Sequence, residues 1–453
     1  MRTDIAVIGG GASGLMAAWS AADTANREGK AIQVTVLEKM PRPGRKIMIS
    51  GKGRCNFTNV KDWEDFSAHV ASGANFIKSS FFAFNSRNTV DFFESHGMPA
   101  VIERGDRAYP ASYRSSDVVD TLTGACQGAG VKIETECEVC TVTAKADKGF
   151  SIECADGRTY LAGKVIIATG GLSYPGTGST GDGYRFATEA GHSIKPTFPS
   201  LTALVPKGYK DGPVQKGHIA RETPLSELGS KFCGTSLKNI GAKLIIQGST
   251  ALELFGDIDF TDGGIEGPLG FQMSRKCIKS MLGGCRAEVE LDLKTTVSAQ
   301  ELTERVKELW ASVNADPRSV RLREKEKCRI LLGKLMPWDL IPAFTASNPD
   351  ILTVTHPERR KTIVKVWPDR IAAALKAWRF EIAGYVGYER AVVTAGGVDT
   401  SEFIAKTMES RKVPGLYLCG ELLDIDCDTG GYNLQAAFST GALAGRSAAI
   451  SLL

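Results

Sequence analysis

The motif Gly9-Gly10-Gly11-Ala12-Ser13-Gly14, with the spacing GxGxxG, most constrains the fold of this chain. An apolar segment precedes it and a helical pattern follows, so it lies at a strand-to-helix junction. There the first glycine permits a tight turn, the second lets the backbone approach a pyrophosphate, and the third lets the helix pack on the strand. The N–H groups at the helix start then favour a phosphate. The motif predicts a Rossmann-type α/β fold that binds a dinucleotide.

The residue that follows the second strand indicates which dinucleotide this is. Residues 32–37 are rich in Val and Ile and end at Glu38, whose carboxylate can accept ribose hydroxyl protons and would repel a 2′-phosphate. An enzyme with FAD and NAD(P)H on separate Rossmann domains would carry two such fingerprints between strand and helix, whereas this chain has one. The sequence therefore predicts FAD as the resident cofactor, and NAD(P)H, where it is the electron donor, would bind only transiently.

Composition narrows the class of protein further. Hydrophobic residues make up 43% and charged residues 23% of the 453 residues, as in soluble globular proteins. No run approaches the ~18 apolar residues of a membrane span, and no secretory segment precedes the first strand. The eleven cysteines favour a reducing cytoplasm, and the histidines lack metal-ligand spacing. The pair Cys137 and Cys140 lies in a strand pattern, where residues three apart face opposite sides, so a redox or metal role is disfavoured.

Strand and helix patterns predict three parts. Strand-then-glycine patterns occur near both ends of the chain, which predicts one α/β domain from residues 1–196 and 391–453. Strand-like segments between them predict a β-rich insert from 197–297 and 378–390. Helical periodicity, as at Leu302, Val306 and Leu309, predicts a helical insert from 298–377. No heptad pattern indicates an oligomeric state.

A second ligand-binding element is predicted near the C-terminal end of the sequence. Gly420-Glu421 follows a late strand, and the run from Thr429 to Leu434 opens a helix over residues 433–449. The backbone amides of Tyr432, Asn433 and Leu434 could receive the pyrimidine edge of an isoalloxazine, where negative charge develops on reduction. The alternative is an ordinary helix start, capped by Thr429 or Asn433.

Together with these segments, further motifs make the sequence similar to a flavoprotein family of NAD(FAD)-utilising dehydrogenases, or aminoacetone oxidase family enzymes, of the YhiN and BaiN types. They include residues 44–46, 50–59, 168–175, 177–184, 393–398 and 407–410. The resemblance implies an FAD domain from both chain ends, a β-barrel-like insert and a helical insert. It also implies a flavin cavity lined by Arg45, Lys46, Gly53, Arg54, Cys55 and Asn56.

Physical chemistry gives several of these residues a role. Arg45 and Lys46 carry charges that suit phosphates, or they belong to a solvated loop. Asn56 suits the amide-like flavin edge, and Cys55 is either a redox partner of the flavin or a small packing residue. The predicted FAD-binding residues are Gly9, Gly11, Ala12, Ser13, Gly14, Glu38, Lys39, Arg45, Lys46, Gly53, Arg54, Cys55, Asn56, Val139, Thr169, Gly170, Gly171, Gly420, Glu421, Gly431, Tyr432, Asn433 and Leu434.

Two departures from the resembling family affect the choice of catalytic groups. Its members commonly carry a His and a Ser in Phe-Thr-His-x-Gly-x-Ser-Gly-Pro, where this chain has Asp262 and Glu266. If this loop faces the flavin, its negative charge favours an amine or another cationic substrate; the alternative is a turn with solvated carboxylates. Cys427 stands where relatives often have glycine. These three residues are the catalytic candidates, and the sequence does not fix a catalytic group.

The positive charge of the chain is concentrated in one segment. The net charge is +4, yet residues 298–380 contain sixteen Lys/Arg against ten Asp/Glu. An FAD-dependent oxidoreductase acting on a small molecule is the main functional prediction. The basic segment motivates a second functional hypothesis, a flavin-dependent reductase of an RNA base of the dihydrouridine type. The alternative is that the cations of this segment lie on solvated helix faces. A third hypothesis is a non-catalytic flavin-binding sensor. The cations in question are Arg318, Arg321, Arg323, Lys325, Lys327, Arg329, Arg359, Arg360 and Lys361.

Overall fold

The computed structural model describes residues 1–145, 149–215, 217–356 and 361–453, and the chain divides into two compact units. The first comprises Met1–Ser200 and Ala391–Leu453, and the second comprises Leu201–Arg390. With elements numbered along the whole chain, the strands of the first unit are β1 (Arg2–Ile8), β2 (Val34–Leu37), β3 (Thr58–Asn59), β4 (Val70–Ser72), β5 (Ala100–Glu103), β6 (Arg107–Pro110), β7 (Lys132–Glu134), β8 (Val139–Ala144), β9 (Phe150–Cys154), β10 (Thr159–Ile167), β11 (Ile194–Ser200), β21 (Val393–Val398), β22 (Leu416–Leu418) and β23 (Asp426–Cys427). Its helices are α1 (Ala12–Arg27), α2 (Arg45–Ile49), α3 (Trp63–Ala68), α4 (Ala74–Ala83), α5 (Ser86–Ser95), α6 (Ser115–Gly128), α7 (Asp182–Glu189) and α14 (Tyr432–Ile450).

A parallel sheet forms the centre of the first unit. Its strand order is β7-β2-β1-β10, with β22 also pairing β10 and the antiparallel strands β9 and β8 continuing from it. The apolar run of β1 is buried, as expected for a parallel strand covered on both faces. The first half of β10 alternates buried and more exposed residues and pairs with the antiparallel β9. The Rossmann-type fold is confirmed.

Helices α1 and α14 pack closely, and this contact joins the two ends of the sequence. A Cβ on Gly441 would overlap the carbonyl oxygen of Ser13, and one on Gly445 would overlap that of Ala17. Only glycine lets the two backbones approach this far. The Ser20 hydroxyl, which is buried in α1, donates a hydrogen bond to the Ala442 carbonyl at 2.8 Å. The last helix is thereby held against the helix that follows the glycine motif.

The second unit contains a closed barrel. Its strands are β12 (Leu204–Pro206), β13 (His218–Ile219), β14 (Ser236–Ile246), β15 (Ser249–Thr261), β16 (Gly264–Glu266), β17 (Ala287–Asp292), β18 (Thr353–His356), β19 (Lys361–Val364) and β20 (Trp378–Val386). The antiparallel order β12-β16-β15-β14-β17-β20 closes because β20 also pairs β12, with Leu204 opposite Tyr385. The aromatic rings of Phe232, Phe260 and Trp378 pack together, with 4.8 Å between the first two ring centroids. The β-barrel-like insert implied by the family resemblance is confirmed.

Helices account for most of the remaining second unit. They are α8 (Glu227–Phe232), α9 (Gly267–Leu282), α10 (Ala299–Ala315), α11 (Glu324–Gly333), α12 (Ile341–Ser347) and α13 (Pro368–Lys376). Ser298 and Glu301 form a capping box at the start of α10. The hairpin β18–β19 interrupts the helical segment, which the periodicity did not indicate. The three-part division into 1–196 with 391–453, 197–297 with 378–390, and 298–377 stays a prediction. In the described part of the chain, no helix is long and apolar enough to cross a membrane.

Candidate FAD site and its surroundings

The glycine motif forms a turn that leaves the start of α1 open. Gly9 has φ +100°, and a Cβ there would lie 2.6 Å from the Ala168 carbonyl oxygen, so the position requires glycine. A Cβ on Gly11 would meet nothing within 4 Å, and no side chain caps α1. The first backbone N–H groups of α1, from Ala12 onward, therefore have space beside them for a phosphate.

Glu38 is fixed beside this turn by the backbone. One carboxylate oxygen accepts a hydrogen bond from the Gly10 N–H at 2.7 Å, and the other accepts one from the Met40 N–H at 2.8 Å. Burial raises the pKa of Glu38, and these two hydrogen bonds oppose the rise. A carboxylate oxygen can accept more than one hydrogen bond, so Glu38 can also accept hydroxyl protons of a ribose.

The start of α14 provides a second recognition surface. Gly431 has φ +95°, a Cβ there would lie 2.5 Å from the Thr58 carbonyl oxygen, and no side chain caps the helix. The Asn56 amide nitrogen donates to the carbonyls of Thr58 and Ala108, while its buried Oδ1 has no hydrogen-bond partner among the described residues. The alternative of a helix start capped by Thr429 or Asn433 is wrong, because the Asn433 side chain instead bonds the backbone of residues 427 and 428.

These groups fit the flavin of FAD. The pyrimidine edge of an isoalloxazine presents one N–H donor between two carbonyl acceptors. The Asn56 Oδ1 offers the missing acceptor, and the amides of Tyr432 and Asn433 offer donors at the helix start. A buried acceptor without a partner is unfavourable unless a ligand satisfies it. This donor and acceptor set suits the pyrimidine edge of a flavin, and its role in binding FAD stays a prediction.

Glu421 and Lys46 form a closed polar cluster between the two helix starts. The Lys46 ammonium lies 2.9 Å from one Glu421 oxygen, and the other oxygen accepts hydrogen bonds from the Ser173 hydroxyl and the Thr394 N–H. Burial raises the pKa of Glu421, but the Lys46 charge and these hydrogen bonds outweigh it and leave that pKa below its ordinary value. Glu421 is therefore ionised, and Lys46 neutralises a carboxylate of the protein itself.

The other predicted cations have different surroundings. The Lys39 ammonium pairs with Asp182 at 2.5 Å, and the Arg54 guanidinium pairs with Glu103 at 2.7 Å. Arg45 is exposed and has no carboxylate partner among the described residues. Arg45 is thus the predicted phosphate ligand that remains available in the described structure.

Uncharged members of the predicted set lie in the same unit. Cys55 is fully buried, and burial raises the pKa of its thiol to about 12, which favours a packing role over that of a reactive thiolate. A Cβ on Gly171 would lie 2.5 Å from the Thr394 hydroxyl, and one on Gly170 would lie 2.9 Å from that of Ser179. Also in the first unit are Ser13, Gly14, Gly53, Val139, Thr169, Gly420 and Leu434.

The catalytic candidates of the second unit are paired with an arginine. Arg390 lies 2.8 Å from the Asp262 carboxylate and donates to both carboxylate oxygens of Glu266. Burial raises the pKa of Asp262, but Arg390 outweighs it and lowers that pKa overall. Arg390 also offsets the negative charge that suggested a cationic substrate. In the first unit, Cys427 is buried in β23, which pairs β4.

The sequence reasoning missed a histidine–aspartate pair at the start of α14. The His69 Nδ1 lies 3.0 Å from an Asp428 carboxylate oxygen, and the His69 ring stacks on Tyr432 with 4.3 Å between centroids. The Asp428 N–H also donates to the His69 carbonyl. His69 and Asp428 lie near opposite ends of the sequence, so no local motif could reveal the pair.

A second histidine cluster looks catalytic but is structural. His192 Nε2 lies 2.9 Å from the Ser410 hydroxyl, and its Nδ1 lies 2.7 Å from a Glu402 carboxylate oxygen. The order serine–histidine–glutamate resembles a hydrolase triad. However, the Ser410 oxygen also accepts hydrogen bonds from the N–H groups of Lys412 and Val413, and the His192 side chain is completely buried. The cluster therefore stabilises the packing of the segments that carry His192, Glu402 and Ser410, and it contains no accessible nucleophile.

Among the described residues, no group of three or more His, Cys, Asp or Glu side chains could hold a metal ion.

The fold and site together define a Rossmann-type, FAD-dependent oxidoreductase. The model of the HI0933-like protein Rossmann domain family matches residues 3–447. The chain belongs to this family, in agreement with the resemblance drawn from its motifs. Membership in an enzyme class favours catalysis over the sensor hypothesis.

Curated relatives share nearly the whole length of the chain. A 3-dehydro-bile acid delta(4,6)-reductase of Clostridium scindens is 32% identical over 98% of this chain and 98% of its own. A ribosomal RNA dihydrouridine synthase of Escherichia coli is 29% identical over 97% of this chain and 96% of its own. A protein of the same name from Haemophilus influenzae is 30% identical over 96% and 95%.

Among solved structures, a 3-ketosteroid-delta4-(5alpha)-dehydrogenase from Rhodococcus jostii is similar with a TM-score of 0.46 and 14% identity, covering 99% of this chain and 97% of that one. A flavocytochrome c3 fumarate reductase is similar with a TM-score of 0.44 and 17% identity, covering 100% and 79%.

Proposed function

We propose that this protein reduces a carbon–carbon double bond conjugated to a carbonyl group. The two kinds of curated relative are named for reactions that share this chemistry. A 3-dehydro, delta(4,6) bile acid carries double bonds conjugated to its 3-oxo group, and dihydrouridine is uridine with the double bond beside its carbonyl reduced. The shared element is the bond that is reduced, whereas the size and charge of the two molecules differ greatly.

FAD, when bound, supplies the electron pair for such a reduction. The chain's own residues bind and orient it. The start of α1 and Arg45 would hold the pyrophosphate, Glu38 the ribose, and Asn56 with the start of α14 the pyrimidine edge of the ring. Lys46 and Glu421 would keep the loop after β22 in place, because each neutralises the other inside the protein.

The observation that carries the proposal is the His69–Asp428 pair beside the start of α14. Reduction of the double bond also adds a proton, which requires an acid near the reacting carbon. The His69 Nδ1 is held by Asp428, its side chain is 34% exposed, and its Nε2 has no hydrogen-bond partner among the described residues. Asp262 is a weaker candidate acid, since Arg390 keeps its carboxylate ionised. We therefore assign proton donation to His69.

The test is anaerobic reoxidation of the reduced flavoprotein. The FAD-loaded protein is reduced with dithionite and mixed with a 3-oxo-delta-4 steroid, with cyclohexenone, or with a uridine-containing RNA. We expect at least one of them to restore the absorbance of oxidised flavin and to gain two hydrogen atoms by mass. Reoxidation by none of the three, with dioxygen still active, would contradict the proposal. NAD(P)H, available in the cytoplasm that the cysteine content favours, is the donor to try in place of dithionite.

The proton donor is tested separately with His69→Gln and the matched control His96→Gln. In the described structure, the His96 side chain hydrogen-bonds only the Phe92 carbonyl and the Ser95 hydroxyl. We expect His69→Gln to slow substrate reduction about 10²-fold or more while flavin reduction and the flavin spectrum stay unchanged. An equal rate in both variants would remove His69 from the reaction without affecting the proposed reaction class.

A specific surface favours RNA as a second candidate substrate. The basic surface, defined here as Arg321, Lys325, Arg329, Lys334 and Trp338, contains exposed cations with no carboxylate partner in the described part of the chain. The Trp338 side chain is 52% exposed and lies over Gly333, with the Arg329 guanidinium 5.8 Å from its ring centroid. Exposed aromatic rings next to cations are the groups on which unpaired bases stack.

Other cations of this segment are less available. Arg318, Arg323 and Lys327 pair with Asp316, Glu326 and Glu324. Arg359 and Arg360 lie outside the described residues, and the side chain of Lys361 is likewise outside them. Of the cations named from the sequence, Arg321, Lys325 and Arg329 are therefore the exposed ones that form no ion pair in the described part of the chain.

RNA binding is tested by titrating a single-stranded RNA into the protein at several salt concentrations. We expect Trp338→Ala and the double variant Arg321→Ala/Lys325→Ala to weaken binding about tenfold and the double variant to lower the salt dependence. The matched control Arg318→Ala/Arg323→Ala should bind like the wild type. Salt-independent binding, or equal loss in both double variants, would exclude this surface.

A further inference from the structure

We propose that Cys137 and Cys154 are a site of reversible oxidation, at which a disulfide forms between the chain just before β8 and the end of β9. The two Sγ atoms lie 3.4 Å apart. The strand pattern already disfavoured Cys140 as a redox partner of Cys137, and the structure places Cys154 beside Cys137 instead. This proposal is independent of the substrate and of FAD.

The pairing of β8 with β9 explains why the two thiols meet. Val139 lies opposite Cys154, and an irregularity follows between Val139 and Thr141. The Ala155 N–H then donates to the Glu138 carbonyl at 2.8 Å, so the chain preceding β8 stays alongside the end of β9. Cys137 lies in this continuation. Because neighbouring strands are held by backbone hydrogen bonds, the two thiols remain close without a covalent link.

The surroundings make the pair slow to oxidise. Cys137 is 1% and Cys154 is 6% exposed. Burial raises the pKa of Cys154 to about 12, with Cys137 and Asp156 adding to the rise and Arg158 opposing it. Tyr160, on the adjacent β10, has its own pKa raised to about 12 by burial and stays neutral. The reactive thiolate is therefore scarce at neutral pH, and only a small oxidant can approach it.

Hydrogen peroxide is an oxidant that satisfies this limit. The Cys154 thiolate attacks one peroxide oxygen, the O–O bond breaks, and the sulfur becomes a sulfenic acid while water leaves. The Cys137 sulfur then attacks the Cys154 sulfur, the S–S bond forms, the S–O bond breaks, and a second water leaves. Two thiols and one peroxide thus give one disulfide and two waters. A dithiol reductant reverses the reaction.

The position of the pair gives the disulfide a consequence for the neighbouring strand. The Cys137 N–H donates to the Glu38 carbonyl at 2.9 Å. A covalent link at Cys137 would therefore also restrain the end of β2, from which Glu38 projects. If Glu38 binds the ribose as proposed, the oxidised protein should release FAD about twofold to threefold more slowly. This last expectation alone rests on the proposed function.

The experiment treats the FAD-loaded protein with hydrogen peroxide and follows its intact mass and its tryptic peptides. Cys137 falls in peptide 133–145 and Cys154 in peptide 149–158, so a link between them joins two separate peptides. We expect a loss of two hydrogen atoms, a joined 133–145 and 149–158 species, and its disappearance with dithiothreitol. Since the thiolate fraction rises tenfold per pH unit below the thiol pKa, the joined species should form faster at pH 9 than at pH 7.

Three variants serve as controls. Cys140→Ser keeps the joined species, whereas Cys154→Ser and Cys137→Ala abolish it, and circular dichroism verifies that each variant folds. The proposal is overturned if the wild type gains oxygen atoms without any joined peptide, if the link depends on Cys140, or if no oxidation occurs even at pH 9.

Discussion

Helices α1 and α14 both begin directly after a glycine and without a side-chain cap, and their two starts are built differently. At α1, the glycine motif and the strand that ends at Glu38 are close together in the sequence. At α14, the complementary group is Asn56, which a distant part of the sequence supplies. The proposed phosphate site is therefore a local property of the chain, whereas the proposed site for the flavin ring depends on packing between distant segments.

Two carboxylates of low exposure show the same contrast. Glu38 accepts hydrogen bonds from two backbone N–H groups, has a raised pKa and retains capacity to accept from a ligand. Glu421 accepts from Ser173, Thr394 and Lys46, and these partners leave its pKa lowered. The first carboxylate can still accept hydrogen bonds from a ligand, as proposed for the ribose, whereas the second is engaged with groups of the protein itself. The predictions below separate these two roles.

The largest effect is expected for Lys46→Met. Removing the ammonium leaves the Glu421 carboxylate without its ion partner, and breaking a buried pair in this way costs about 3 kcal/mol of unfolding free energy. Lys132→Met is the matched control, because the Lys132 side chain is 57% exposed and its partner Glu134 keeps a second partner in Arg158, so the loss should be below about 1 kcal/mol. Urea unfolding of the apoproteins measures both. Equal stability of the two variants would show that Lys46 acts on the cofactor and not on Glu421.

Gly11→Val should weaken FAD binding about 100-fold, which corresponds to about 2.7 kcal/mol. Its side chain would enter the open space at the start of α1, where a Cβ meets no protein atom within 4 Å, so folding should be unaffected. Gly124→Val is the control, since a Cβ there also meets nothing within 4 Å. Fluorescence titration with FAD gives the affinities. Normal FAD binding by Gly11→Val would rule out the phosphate position at α1.

Asn56 is expected to contribute about one hydrogen bond to the flavin ring. Wild-type protein should bind 3-methyl-FAD, which lacks the pyrimidine N–H, about tenfold more weakly than FAD. In Asn56→Ala, the two cofactors should bind equally, because the acceptor is gone. A full tenfold preference for FAD in that variant would assign the N–H to another acceptor.

The smallest effect concerns the pH dependence of stability at His192. Burial lowers the pKa of His192 below its ordinary value of 6.5, so the unfolded chain takes up a proton more readily than the native protein. This contribution to stability is complete above pH 6.5 and falls as the pH drops from 6.5 through the lowered native pKa. In His192→Gln, the loss of unfolding free energy over this pH range should be smaller than in the wild type, by less than about 1 kcal/mol. The affinity for FAD should be unchanged. If urea unfolding gives the same pH dependence of the unfolding free energy for the variant and the wild type, the assignment of this dependence to His192 is contradicted.

The contrast between the two helix starts also explains what could be predicted from the sequence. The βαβ unit, the glycine turn and Glu38 depend on neighbouring residues, and a local pattern reveals them. The unpaired Asn56 oxygen, the Lys46–Glu421 pair and the His69–Asp428 pair form only when distant segments meet, so no spacing rule indicates them. The hairpin β18–β19 was missed because the helical periodicity on both sides of it dominated the pattern.

The most direct test of the account is an equilibrium titration of the apoprotein with FAD and, separately, with FMN. FMN has the flavin ring but lacks the adenosine and pyrophosphate that the start of α1 and Glu38 would hold. The account predicts that FAD binds at least about 100-fold more tightly than FMN and that Gly11→Val removes most of the difference. Equal affinity for the two flavins would contradict it.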